Sequence, residues 1–469
     1  MPESHPEAPG ATGVAPRLRA LPSVDRVLAD PALDHVRSTL PTSLVTSSIR
    51  EVLEAARRAI HAGARPTPTL PELAERAAAS AVRASTSGLR HVINATGVII
   101  HTNLGRAPLS LSTRQAVSDA ASYSNLEYDL VAGERGSRYT HAVGILRRVT
   151  GCEDALVVNN NAAALVLVLS CFAQGREVIL SRGQSVEIGG GFRIPEIMQT
   201  GGAHLVEVGT TNRTYTRDYA QAITANTSIL MRVHASNFRI VGFTTEPATA
   251  ELAELAHAND LLLVDDIGSG ALLDTASYGL HPEPTAQDSL RAGVDIVLFS
   301  GDKLLGGPQC GIILGKATLV SLLRKHPLTR ALRVDKMTLA ALEATLLHYL
   351  KGEAEREIPV WQMLSMSEQA IEQRAEAWAA HLRAAGISCS LLSGESAIGG
   401  GSLPGETLPT HLLAVPLTEQ LAGEKAALLR QQPTPVIARV GAGALLIDPR
   451  TVLVAEEQVL LDALIRVLG

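Results

Sequence analysis

The chain has 469 residues, 46% hydrophobic and 19% charged. This composition is globular and the length exceeds one compact core, so two or three domains are expected. A net charge of −6 excludes a globally basic nucleic-acid binder, though not a local basic surface. The longest apolar stretch, Ala162 to Ala173, is interrupted by Ser170 and is shorter than the ~20 residues that cross a bilayer.

The first segment, Met1 to Gly13, is polar and Pro-rich and lacks the apolar core of a signal peptide, so a cytoplasmic location is expected. Residues 1–16 read as a disordered tail. Short helices follow over 21–62, with Val24, Val27 and Leu28 and then Ile49, Leu53, Ala56 and Ile60 at helical spacing. Arg65-Pro66-Thr67-Pro68-Thr69 breaks that pattern, and an Ala-rich helix resumes from Leu70 to Ser85. The expected organisation is a helical domain over 1–65, a linker over 66–90, a large domain over 91–335 and a smaller α+β domain over 336–469. Residues 1–90 hold 11 Arg and no Lys against 9 acidic residues, a weak positive excess.

Beyond residue 91 short apolar runs alternate with helical patterns. Ala155–Val158, Glu177–Leu180, Leu205–Val208, Ser228–Val233, Leu261–Val264 and Ile296–Phe299 read as strands, with Leu252–Ala258 among the helices between them. Such alternation predicts an α/β core with a mostly parallel sheet covered on both faces. Met337–Tyr349 and Ser367–Ala385 read as helices, and Val436–Asp448 as a hairpin. The four cysteines are far apart and form no C-x-x-C, so buried free thiols are expected and no metal site.

Three segments carry chemistry. In Ser300-Gly301-Asp302-Lys303-Leu304-Leu305-Gly306-Gly307-Pro308 a lysine follows a buried-looking strand and precedes a glycine-rich turn. Desolvation there lowers an amine's pKa and frees it for Schiff-base chemistry, although a solvated loop lysine has the same local spacing. In Leu261–Gly270 an apolar strand ends in Asp265 and Asp266, the second of them 37 residues before Lys303. A carboxylate so placed can pair with the pyridinium nitrogen of pyridoxal phosphate (PLP) and keep the ring an electron sink, or simply cap a helix. In Val157–Ala164 a strand ends at Asn159-Asn160-Asn161 and a helix begins, so the backbone N–H groups near Asn160, Asn161 and Ala162 suit a phosphate. Phosphate loop, aspartate and lysine stand in the order of the aspartate-aminotransferase-like PLP fold, fold type I.

The sequence also resembles the bacterial L-seryl-tRNA(Sec) selenium transferase (selenocysteine synthase) family over nearly its whole length. The resembling stretches include Ile93–Gly97, His101–Arg106, Leu126–Leu130, Asn159–Ala164, Ser181–Gly183, Val186–Gly190, Phe192–Pro195, Val208–Thr214, Asp266–Gly270, Ser300–Pro308 and Arg330–Thr338. The resemblance implies PLP on Lys303, with Asp266 rather than Asp265 facing the pyridine nitrogen. Asn160, Asn161, Ala162 and Ser300 are the further cofactor contacts. It maps a selenophosphate site onto Arg106, Arg330 and Arg333. Guanidinium forks suit that anion, and Arg330 and Arg333, three apart, would share a helix face.

The implied reaction converts seryl-tRNA(Sec) to selenocysteyl-tRNA(Sec) through a cofactor-bound dehydroalanyl intermediate, with the released Lys303 as general base. The implied assembly is a homodecamer. The helical segment over 17–65 or so is the candidate tRNA reader, with Arg50, Arg57 and Arg58 as phosphate contacts. His101 is either near the ring or packed, Gln184 and Glu187 lie where a stacking loop is expected, and Glu127, Tyr128 and Asp129 receive no role. A PLP lyase of small amino acids or amino sugars is the alternative, disfavoured by the helical N-terminal domain. A catalytically silent RNA-binding scaffold is disfavoured by the intact lysine, aspartate and phosphate loop.

Overall fold

The computed structural model describes residues 14–64, 66–188 and 191–469, apart from the side chains of Ile188 and Phe192. Most of the expected tail, Arg65 of the expected break, and Gly189 and Gly190 therefore lie outside the described residues. The chain divides into two compact units, 1–91 and 92–469.

The first unit is helical. The 20-residue helix Thr42–His61 buries Val45, Ile49, Leu53, Ala56 and Ile60 along one stripe, as the 3.6-residue period dictates. Within the segment expected as a linker, the helix Leu70–Ser85 has the bounds expected from sequence and starts at a Thr69–Glu72 capping box. Its Leu73, Ala74 and Ala77 are buried in the same core as Ile49 and Leu53. The reason is amphipathicity: a helix with an apolar stripe of alanines needs a partner surface, and Thr42–His61 provides it. Val14–Arg19 begins inside the span expected to be a tail.

The second unit holds two sheets. The larger has seven strands, in spatial order Asp154–Val158, Gly311–Gly315, Ile296–Ser300, Leu262–Gly268, Thr227–Val233, Glu177–Ser181 and His204–Val208. Gly311–Gly315 runs antiparallel to both neighbours and the other pairings are parallel. Central strands such as Ile296–Ser300 are buried at every position because helices cover both faces, hence their continuous apolar runs. Gly311–Gly315 has no counterpart among the strands read from sequence.

The second sheet has six strands: Ile93–Ala95, Val436–Gly441, Ala444–Ile447, Thr407–Pro416, Ser390–Gly399 and Val98–Ile100. Two of them come from the segment 93–100, assigned from sequence to the large domain. Ile93 pairs with Val436 and Val98 with Ala397, so this segment is built into the C-terminal sheet. Among the described residues no helix is long and apolar enough to cross a membrane, and no cluster of His, Cys, Asp or Glu could hold a metal. Cys152, Cys310 and Cys389 are buried and all four thiols are free.

Candidate active site

Strand ends of the seven-stranded sheet converge on a cavity of about 250 Å³ lined by Lys303, Asp266, Asn160, Asn161, Ala162 and Ser300, with Arg106 at its side. Every cofactor contact expected from sequence is thus in one chamber. Strand geometry separates the two aspartates, because successive side chains point to opposite faces. Asp265 turns to Arg232 (3.1 Å) and accepts from Ser289 Oγ (2.7 Å). Asp266 faces the chamber, where its Oδ1 accepts from Asn161 Nδ2 (2.8 Å) and from the Gly268 N–H (3.1 Å). Burial pushes the Asp266 carboxyl up to about 6 from an ordinary value near 3.8; these hydrogen bonds and the charge of Lys303 oppose the rise without cancelling it. Burial likewise pushes the Lys303 ammonium down, with Asp266 opposing.

That raised carboxyl sets a stability window. A folded-state pKa above the unfolded one stabilises fully below about pH 4, and the contribution is lost as pH rises through about 6. The loss amounts to about 3 kcal/mol. Asp266→Asn keeps an acceptor for Asn161 and Gly268 and removes the ionisation. In the cofactor-free protein its melting temperature is expected to exceed that of wild type at pH 8, with the gap closing towards pH 5. A gap independent of pH would contradict the burial argument.

At the other end of the chamber the helix Asn161–Phe172 begins. The Asn160 side chain accepts from Ala163 N (2.8 Å), and Ala164 N donates to the Asn160 carbonyl. The N–H groups of Asn161 and Ala162 are left for an anion, at the positive end of the helix dipole. Gly311 makes room for this turn, since a Cβ there would lie 2.2 Å from the Asn160 carbonyl oxygen. The Oδ1 of Asn161 is buried with no partner among the described residues, a polar atom awaiting a ligand. A desolvated lysine, a buried carboxylate and an anion-binding helix start in one cavity form a donor set that fits PLP.

Arg106 has a left-handed backbone (φ 64°), and its guanidinium lies 2.8 Å from Asp302, beside Lys303. Arg330 and Arg333 do not line the chamber; both are exposed. The helix carrying Arg330 is Pro327–Leu332, and Arg333 is its extended C-cap, so the two do not share a helix face as the spacing suggested. Leu332 accepts from Asn159 N and Arg333 bridges Val158, which ties Arg333 to the strand that leads into the phosphate turn. Glu187 pairs with Arg193 at 2.7 Å. Gln184 is buried and accepts from Val233 N (3.0 Å), facing a neighbouring cavity rather than this one. His101 bridges Arg106 through its backbone, and its Nδ1 is buried without a partner among the described residues.

Three features escaped the sequence reading. His234 and Ser236 line the chamber just beyond the strand Thr227–Val233. Gly401 presses on the lysine: it has φ 87°, and a Cβ there would lie 2.7 Å from Lys303 Cε and 2.9 Å from Nζ. A signal was available in the run Gly399-Gly400-Gly401-Ser402, which no turn rule requires in triplicate. Gly401→Ala is expected to displace Lys303 and reduce turnover at least about tenfold, with about 1–2 kcal/mol of backbone strain. Kinetics together with thermal melting would check this, and unchanged turnover would show that Lys303 does not depend on this contact.

The family model "L-seryl-tRNA selenium transferase" matches residues 92–453, and "Selenocysteine synthase N terminal" matches 18–57. The chain is 47% identical over 451 residues to the L-seryl-tRNA(Sec) selenium transferase of Geobacter sulfurreducens, covering 95% of this chain and 98% of that one. It is 49% identical over 457 residues to that of Moorella thermoacetica, covering 96% and 97%. Among solved structures, D-glucosaminate-6-phosphate ammonia-lyase aligns with a TM-score of 0.57 at 22% identity, over 81% of this chain and 96% of that one, a likeness of fold. The architecture is the aspartate-aminotransferase-like, type I fold of PLP enzymes, preceded by a helical N-terminal unit. By a family match over most of its length and near-full-length identity to these relatives, the chain belongs to the L-seryl-tRNA selenium transferase family.

Proposed function

We propose that this chain converts L-seryl-tRNA(Sec) to L-selenocysteyl-tRNA(Sec), with PLP held at Lys303 and selenophosphate as the selenium donor. The observation that carries the proposal is the Lys303–Asp266–Asn161 chamber in a chain 47% identical to such a transferase over 95% of its length. Bound there, the cofactor supplies an electron sink for charge developing at the serine Cα. Asp266, oriented by Asn161 and Gly268, holds the proton of the ring nitrogen. Lys303 Nζ, lowered by burial, takes the Cα proton and is free to return it. The free N–H groups of Asn161 and Ala162, with Ser300 nearby, anchor the cofactor phosphate.

Arg106, Arg330 and Arg333 bind the donor anion. Only Arg106 lines the chamber of its own chain, so Arg330 and Arg333 serve a site shared between subunits of the homodecamer that the resemblance implies. The cytoplasm, where charged tRNA is found, is the location that goes with this reading. Fold likeness to an ammonia-lyase is compatible with a small-substrate lyase. The match of residues 18–57 to the selenocysteine synthase N-terminal model favours the tRNA-dependent reaction.

The test is conversion of seryl-tRNA(Sec) by the cofactor-loaded protein with selenophosphate. Wild type should form selenocysteyl-tRNA. Arg330→Ala or Arg333→Ala should raise the KM for selenophosphate by about tenfold or more while seryl-tRNA affinity holds, as expected for losing one charged hydrogen-bonding partner. Absence of product from wild type refutes the proposal, and equal weakening towards both substrates refutes the donor site.

A further inference from the structure

Beside the Lys303 chamber lies a second cavity, of about 330 Å³, and Val233 and His234 line both. Its walls come from the ends of the strands Glu177–Ser181 and Thr227–Val233, from the loop that follows the second of these, and from Leu403 and Pro404 of the C-terminal part. None of the roles assigned above uses it.

Its charge decides what kind of ligand it suits. Arg232 is matched by Asp265 at 3.1 Å and Arg239 by Glu406 at 2.9 Å. His234 lies 3.0 Å from Glu283. Burial opposes the charge of Glu283, but the nearby His234 ring and hydrogen bonds from the Leu403 N–H and Ser269 Oγ outweigh it and hold the carboxyl below its ordinary value. Arg213 also lines the cavity and meets no carboxylate among the described residues; its Nε donates to the Phe243 carbonyl (3.3 Å) and its guanidinium lies over the Phe243 ring. The cavity thus holds one guanidinium without a carboxylate partner, not a cluster of them for an anion such as selenophosphate. It offers instead hydrogen-bonding groups on Asn212 and Thr244 and apolar faces on Phe238, Pro282 and Leu403.

Phe238 is the telling residue. The chain has only five Phe, and two of them, Phe238 (37% exposed) and Phe243 (83% exposed), lie in the loop after the strand Thr227–Val233. Neither belongs to a hydrophobic core cluster. An exposed ring at the edge of a hydrogen-bonding cavity is the arrangement that stacks a nucleobase.

We propose that this cavity receives the terminal adenosine of the tRNA acceptor end, the base stacking on Phe238. The inference rests on the function proposed above. The seryl ester is joined to the ribose of that adenosine, so a serine positioned at Lys303 puts its nucleoside within one ester linkage of the chamber. This is the adjoining cavity. Specificity for a seryl ester over free serine then comes from the nucleoside, and the helical N-terminal unit need only recognise the body of the tRNA.

The experiment measures binding of adenosine 5′-monophosphate and of cytidine 5′-monophosphate to the cofactor-loaded protein by equilibrium dialysis, and KM and kcat for seryl-tRNA(Sec). The adenine nucleotide is expected to bind more tightly than the cytidine nucleotide, whose ring is smaller, and to compete with seryl-tRNA. Phe238→Ala should weaken adenosine monophosphate binding and raise the KM for seryl-tRNA, each about tenfold, with kcat within about twofold. Phe238→Tyr, which keeps a ring, should restore both. The inference is overturned if adenosine monophosphate does not compete, or if Phe238→Ala leaves its binding unchanged. It is equally overturned if that variant alters the oligomeric mass and not nucleotide affinity, which would make the ring a subunit contact. Failure of wild type to form any selenocysteyl product removes the proposed function instead, and dialysis still decides the cavity.

Discussion

Lys303→Ala is expected to lose the visible absorption of the lysine-linked cofactor and to reduce conversion of seryl-tRNA(Sec) by roughly 10³-fold or more. The expectation comes from position rather than residue type. Lys303 is 6% exposed, shares a cavity with Asp266, and is hemmed in by Gly401. An ammonium buried this far is disfavoured, and desolvation shifts Lys303 towards the neutral amine that acts as nucleophile and base. The protein should remain folded, because the substitution removes a buried ionisable group whose burial opposes its charge. Circular dichroism on the same sample separates loss of chemistry from loss of fold. A variant that keeps its absorption band, or stays within a few-fold of wild-type rate, would assign the cofactor to another group.

The second large effect concerns the helical unit. A protein starting at residue 92 is expected to fold, load cofactor and give the wild-type absorption band, while its affinity for tRNA(Sec) falls by roughly 100-fold or more. The cavity around Lys303 is lined wholly by residues beyond 92. Arg50 and Arg58 are exposed on the helix Thr42–His61, so the affinity contributed by the unit should fall with salt.

The cut must be made at 91. A cut at 65 strips the helix Leu70–Ser85 of its partner and leaves Leu73, Ala74 and Ala77 facing water, with about 1.5–3 kcal/mol of burial lost for the leucine alone. That truncation is expected to aggregate, whereas the cut at 91 should not. Filter binding at two salt concentrations, with absorbance at the cofactor band, checks both arms. Undiminished tRNA binding by residues 92–469 would move the RNA reader to the core.

Where the sequence was legible, a short-range rule was enough. The Asn160 turn announces a helix start through its small polar residues. The continuous apolar runs of the seven-stranded sheet were readable for the same reason. Asp266, by contrast, was preferred to Asp265 only by the family resemblance; the alternation of the strand is what sends the two to opposite faces. What escaped depends on distant parts of the chain. Gly311–Gly315 is a five-residue strand flanked by glycines, and its place comes from pairing with Val158, more than 150 residues earlier. Ile93–Ala95 and Val98–Ile100 are too short to declare a sheet, and their partners lie near the other end of the chain. Pro66 and Pro68 mark a break at the head of the 66–90 segment without saying whether the next helix packs back. Arg330 and Arg333 were given a common face on spacing alone, but the helix stops at Leu332.

The wiring of the six-stranded sheet has a consequence for synthesis. As the chain leaves the ribosome, every strand of the seven-stranded sheet is available once Gly315 has emerged. Residues 93–100 are made much earlier, yet their partners, Ala397 and the strand from Val436, come far later. Ile93, Ile99 and Ile100, fully buried in the finished protein, must wait unpaired through some 300 residues of translation. Gly401 belongs to the same late portion, so Lys303 is uncovered on that side throughout the interval. A nascent chain therefore completes the sheet that bears the lysine before it can close the chamber, and a ribosome stalled before residue 400 would display a half-built site with an apolar edge, a natural target for chaperones.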